Sequence, residues 1–132
     1  MLAALTSPLA AAECNPSSVF LRGDWGKARF AVEVADTDRA RARGLMFREK
    51  MAASEGMLFV YPRAGRVAFW MKNTLIPLDM LFLDKNGVVQ HIHHRAKPLD
   101  ETMITSSVPA MAVLEINGGL SDTLGIKIGD KV

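Results

Sequence analysis

The chain of 132 residues has one cysteine, almost no net charge and no uninterrupted apolar run of 18 residues. Each scarcity excludes something. Cys14 cannot close a disulfide within the chain. Glu13 stands before it, where a lipid-anchored cysteine follows a small residue, so Cys14 reads as an exposed thiol near a terminus. Sixteen Lys and Arg against 14 Asp and Glu leave a formal charge of +2. That is too small for the concentrated basic face that nucleic acid or an anionic membrane requires. There is no G-x-S-x-G elbow, no Walker loop and no G-x-G-x-x-G. Repeats, low-complexity segments and linkers are also missing.

What is present fits one soluble domain. About half of the residues, 49%, are apolar, enough for a core without staples. The opening "MLAALTSPLAAA" is small, apolar and uncharged, and ends in an A-x-A pattern after Pro8. It reads as the back half of a secretory signal peptide over residues 1–12. It is too short to span a bilayer. The expectation is a periplasmic or secreted protein, with a domain over residues 17–132 and no membrane association after signal removal.

Alternation places the strands. "SSVFL" and "ARFAVEVAD" flank a turn at "RGDWGK", and Phe30, Val32 and Val34 share one face. "DTDRARARG" is a two-turn helix, capped at Asp36 or Thr37 and closed by Gly44, whose three arginines read as a solvated face. "GMLFVYP", "VAFWMK", "LDMLFLD", "VVQHIHH" and "AMAVLEI" are further strands. Asn86-Gly87 marks a hairpin, and Pro77 makes "NTLIP" a loop or edge. "NGGLSDTLG" is a second short helix, and "IKIGDKV" reads as a strand, a turn and the start of another strand. No strand-helix-strand rhythm appears. The fold class is therefore α+β: a β-rich single domain, mainly an antiparallel curved sheet or partly closed barrel, with two short helices.

Candidate chemistry is sparse. His91 and His93 share one strand face and form a weak metal-ligand pair without a third ligand, while His94 points to the other face. Met46, Met57, Met71 and Met80 read as core filler rather than a copper site. Gly118 and Gly119 read as a tight turn into a helix rather than an anion cradle. No cofactor is expected.

The informative stretch is "FWMKNTLIPLDMLFLD", Phe69–Asp84, where Lys72, Asn73 and Asp79 interrupt an otherwise apolar run. Buried charges need partners. Lys72 can pair with Asp79 or Glu115, or run its stem along Trp70 to solvent. Glu115 shares a strand face with Met111 and Val113. "RARGLMFRE" (Arg41–Glu49), "EGMLFVYP" (Glu55–Pro62), this stretch and "GIKIGDKV" resemble the DUF192 family, also called UPF0127, over about residues 29–132. The resemblance implies a small, often exported prokaryotic protein with a compact β-rich α+β fold and no established activity. The HIHH tract is not part of that family pattern.

Three readings follow. The first is a small-ligand or peptide binding module, its pocket near the FWMKNT loop formed by Arg43, Met46, Arg48, Trp70, Lys72, Asn73, Asp79 and Glu115. Its partner is an unidentified small molecule or protein. The second is an enzyme using Asp79 or Glu115 as acid or base with Lys72. The third is a structural or interaction protein whose signature only ties down the loop.

Overall fold

The computed structural model describes residues 17–132. The expected signal segment and Cys14 lie outside these residues. Strands β1 (Ser18–Gly23) and β2 (Gly26–Ala35) form a hairpin, and helix α1 (Asp38–Arg43) follows. Thr37, not Asp36, caps α1, with its hydroxyl accepting from Ala40 N at 3.1 Å. Next come β3 (Glu55–Gly65), β4 (Ala68–Phe69), β5 (Leu78–Leu83), β6 (Val89–Ala96), β7 (Ile104–Thr105), β8 (Ala110–Asn117) and helix α2 (Leu120–Leu124). The main sheet runs β1-β2-β3-β8-β5-β6, and β4 and β7 pair separately. The β-rich fold with two short helices is as the residue pattern indicates.

One pair breaks the antiparallel rule. β2 and β3 run parallel, Ala31 beside Glu55, because the connection through α1 returns the chain to the same end of the sheet. The segment "VAFWMK" also departs from expectation. Only Ala68 and Phe69 pair as strand, and the chain leaves the ladder at Trp70.

The sheet curls into a half-barrel, and the C-terminal segment stitches its two edges together. Arg22 on β1 exchanges backbone hydrogen bonds with Lys131 at 2.8 and 2.9 Å. On the other side, Asp130 O accepts from Val89 N, and Val132 N donates to Gly87 O, both at 2.8 Å. The expected strand in "IKIGDKV" is therefore a single-residue bridge between two edges. The Asp130 carboxylate fixes it, accepting from Trp25 Nε1 at 2.7 Å and Lys127 N at 2.8 Å.

Both faces of the sheet are covered. One carries Met57, Phe59, Leu78, Met80, Phe82 and Val113, roofed by Leu45, Val67, Phe69, Met71 and Ile76. The other carries Leu21, Phe30, Val32, Leu81, Leu83, Leu114 and Ile116. β5 lies between β8 and β6 at the centre of both cores, and all six of its residues are buried. That is why "LDMLFL" reads as a continuous apolar run rather than an alternating one. Asp79 is the exception that the fold has to satisfy.

Candidate ligand-binding site

Glu115 sits on β8 directly between Met57 of β3 and Met80 of β5, on the face of Val113. Strand alternation forces it inward. Above it, the end of α1 and the signature loop leave a cavity of about 230 Å³. Phe59 and Leu78 wall it on the sheet side, and Leu45, Met46, Phe69, Trp70, Met71 and Thr74 close it from the loop side. Tyr61, Arg41, Arg43 and the exposed Ala68 also line it.

Glu115 is 4% exposed, and its carboxyl has no hydrogen-bond or ion-pair partner among the described residues. Burial alone pushes its pKa up from 4.5 to about 8. The neighbouring Tyr61 phenol is also raised, mainly by burial, with the Arg41 charge opposing and the Glu115 charge reinforcing. Arg41 lies 5.1 Å over the Tyr61 ring. Its guanidinium donates to Val60 O and to Asp38 Oδ1, both at 2.7 Å. Arg43 stands 5.7 Å over the exposed ring of Phe47.

Backbone contacts hold the loop that closes the cavity. Asn73 adopts a left-handed conformation, φ 55°, and its carbonyl accepts from Phe47 N at 2.8 Å. Asn tolerates that conformation better than most residues. Its side-chain amide lies 4.0 Å from Met46 Sδ. Met71 N donates to Asp100 O at 2.8 Å, and Leu99 N to Thr74 O at 3.0 Å. The segments around Phe47, Met71–Thr74 and Leu99–Asp100 are thus tied side by side over the cavity. Gly44, at φ 51° and ψ −135°, makes the sharp exit from α1, and a Cβ there would meet the Phe59 ring at 3.2 Å.

Four of the eight candidate residues line this cavity: Arg43, Met46, Trp70 and Glu115. The other four have different places. Lys72 reaches outward and lies 5.0 Å over the Trp70 ring, paired with neither Asp79 nor Glu115. Asn73 supports the loop from outside. Arg48 forms a two-pronged ion pair with Glu33 in a separate groove, its Nη2 at 2.8 Å from Oε1. That pairing lowers the Glu33 pKa.

Asp79 lies on the opposite face of the sheet, level with Ile116. It is fully buried and accepts from Arg95 N (2.8 Å), Gly119 N (3.0 Å), Ser121 N (2.9 Å) and the Ser121 hydroxyl. Burial pushes its pKa up, but these donors outweigh burial and hold it below the usual carboxylate range. It closes the turn into α2 instead of facing a cleft.

His91 and His93 share the face of Phe82, as alternation requires, and His91 packs 5.6 Å from that ring. Burial, then the neighbouring His91 and His94, lower the His93 pKa. Among the described residues no group of three His, Cys, Asp or Glu is placed to hold a metal. No helix among them is long and apolar enough to cross a membrane.

Sequence reasoning missed Arg41 and Tyr61. Tyr61 follows Met57 and Phe59 at a spacing of two, so strand alternation carried on past Phe59 finds it. Three arginines in six helical residues gave no reason to single out Arg41.

The fold and the cavity define the class of protein: a curled β half-barrel with an aromatic-walled cavity over a buried carboxyl that has no partner among the described residues. The chain belongs to the DUF192 family, described as "Uncharacterized ACR", whose model matches residues 20–132. A crystal structure of a protein of unknown function from Novosphingobium aromaticivorans is 45% identical, with a TM-score of 0.85, covering 86% of this chain and 81% of that one. A second, of a candidate transcription regulator from Sinorhizobium meliloti, is 39% identical, with a TM-score of 0.84, covering 89% and 95%. No curated protein matches the chain.

Proposed function

We propose that this protein binds a small molecule in the cavity over Glu115. One observation carries the reading: a carboxyl with no partner among the described residues is buried at the floor of an aromatic-walled cavity. An unsatisfied buried polar group is costly, and proteins keep few of them without use. Apolar walls with a few convergent polar groups are how small-ligand sites are built. At about 230 Å³ the cavity is below the size of drug-sized sites, so the ligand is of metabolite size. The sequence alone supports an exported location, through residues 1–12.

A second reading makes Glu115 a general acid or base, since a pKa of about 8 is near a working pH. The geometry favours this role for Glu115 over Asp79, whose oxygens are already filled. The Sinorhizobium relative is described as a candidate transcription regulator, but nothing in this chain favours reading DNA directly. The charge is only +2, and α1 and α2 have six and five residues, too short to read a major groove.

The test is a thermal-shift screen of amino acids, organic acids, amines, sugars and nucleotides. Ala68→Trp, which plugs the cavity from an exposed position, is run beside the native chain. A ligand at a hundred times its Kd adds about 2.7 kcal/mol, a shift of several degrees. The reading expects a shift in the native chain that the plugged variant lacks. Equal shifts in both, or none in either, defeat it.

A further inference from the structure

The cavity is charged differently at its two ends. Its floor is the Glu115 carboxyl, whose only sheet neighbours in register are Met57 and Met80. Its helix side carries Arg41 and Arg43. Arg41 is already held by Val60 O and Asp38. Arg43 has no hydrogen-bond partner among the described residues and rests over the Phe47 ring. Between the two ends lie aromatic rings, Phe59, Phe69, Tyr61 and Trp70.

A simple anion would meet the arginines but place its charge or its apolar tail against an unpaired carboxyl. A simple cation would satisfy Glu115 and gain from the ring faces, but would pass two arginines on entry. A molecule with a cation at one end and an anion at the other satisfies both ends. We propose that the cavity takes a small amino-carboxylate zwitterion, its ammonium paired with Glu115 and its carboxylate held at the rim by Arg43. This rests on the cavity being a ligand site and names the ligand class.

A consequence is proton release. The empty site holds Glu115 mostly protonated at neutral pH. Pairing with an ammonium ionises it, so binding expels a proton. Besides Glu115, the titratable groups facing the cavity are Tyr61 from β3 and Arg41 and Arg43 from α1. β5 contributes Leu78 to the lining, and the segment from Phe69 to Thr74 contributes Phe69, Trp70, Met71 and Thr74, none of which titrates. His93 on β6 lies on the same face beyond Met80. The Tyr61 pKa is raised from 10.0, mainly by burial, so the phenol keeps one charge state between pH 6 and 7. Burial, then His91 and His94, lower the His93 pKa, so its charged form is disfavoured on this face. Affinity for the zwitterion therefore rises about tenfold from pH 6 to pH 7.

The experiment is titration calorimetry of the full chain with 5-aminopentanoate, pentylamine and pentanoate at pH 6, in two buffers of different ionisation enthalpy. The expected result is binding of 5-aminopentanoate with close to one proton released, weaker binding of pentylamine, and none of pentanoate. Glu115→Gln, which keeps the shape and removes the charge, should abolish the proton release and weaken binding about tenfold or more. Proton release in the native chain is read without any variant, so a misfolded Glu115→Gln does not cloud the result. Equal binding of pentylamine overturns the zwitterion assignment, as does tighter binding of pentanoate or binding without proton release. If any of these ligands still depends on an open cavity in the Ala68→Trp comparison, the cavity reading survives and only the ligand class falls. No binding by any of the three also overturns the ligand class, and the cavity reading is then decided by the thermal-shift screen.

Discussion

Asp79 and Glu115 occupy adjacent rungs of the β5–β8 ladder but opposite faces of the sheet. Asp79 pairs with Ile116, and Met80 pairs with Glu115. Both carboxyls are buried. One meets four donors and is held ionised. The other meets none among the described residues and is held protonated. The two therefore respond to pH in opposite directions.

For Glu115 the folded pKa, about 8, stands above the unfolded value of 4.5. Its contribution to stability is whole below pH 4.5 and is lost as pH rises towards 8. The slope is up to about 1.4 kcal/mol per pH unit. Glu115→Gln removes that slope. Urea unfolding from pH 5 to pH 9 should show the native chain losing stability relative to the variant, and parallel curves would exclude an uncompensated carboxyl.

For Asp79 the folded pKa lies below the unfolded value. Its contribution is present above the ordinary carboxylate range and is lost as pH falls through the folded pKa. Asp79→Asn keeps the shape but turns an amide towards amide donors from Gly119 and Ser121. A loss of about 1–3 kcal/mol is expected at pH 7, with ligand binding at the Glu115 cavity intact. Denaturant curves and the ligand thermal shift check the two halves separately.

Gly44 should be intolerant of a side chain. At φ 51° and ψ −135°, alanine is strained, and its Cβ would press on Phe59. Gly44→Ala is expected to cost about 1–3 kcal/mol and to narrow the cavity, lowering ligand affinity further than stability alone explains. A melting curve combined with a binding titration tests this.

Lys72→Met is expected to be mild. Among the described residues the ammonium has only the Trp70 ring as partner, an interaction of about 0.5–1 kcal/mol at an exposed site. Trp70 is 40% exposed. Its emission, read in a Trp25→Phe background, should change on mutation while the fold persists. A loss of several kcal/mol would mean that Lys72 pairs with a buried carboxylate after all.

The strands expected in "VAFWMK" and "IKIGDKV" shrink to a two-residue pair and a bridge. The six strands of the main sheet, the hairpin at Asn86-Gly87 and both helices were legible because each rests on local chemistry: alternation, turn residues and caps. The parallel β2–β3 pair and the bridging C-terminus were not, because pairing partners far apart in sequence leave no local trace. The signature was legible as a site but not as an arrangement. Alternation put Glu115 on an inward face, yet nothing in one strand says which partner it lacks. Asp79 and Lys72 look equally odd in an apolar run. Only the fold shows that α2 supplies Asp79 with donors and that Lys72 escapes along Trp70.

The most direct measurement is a carbon-13 NMR titration of the Glu115 side-chain carboxyl in the ligand-free protein. The account expects an inflection near pH 8, absent in Glu115→Gln. An inflection near the ordinary 4.5 would contradict it, because the carboxyl would then already have a partner and the cavity would hold no unmet group for a ligand to satisfy.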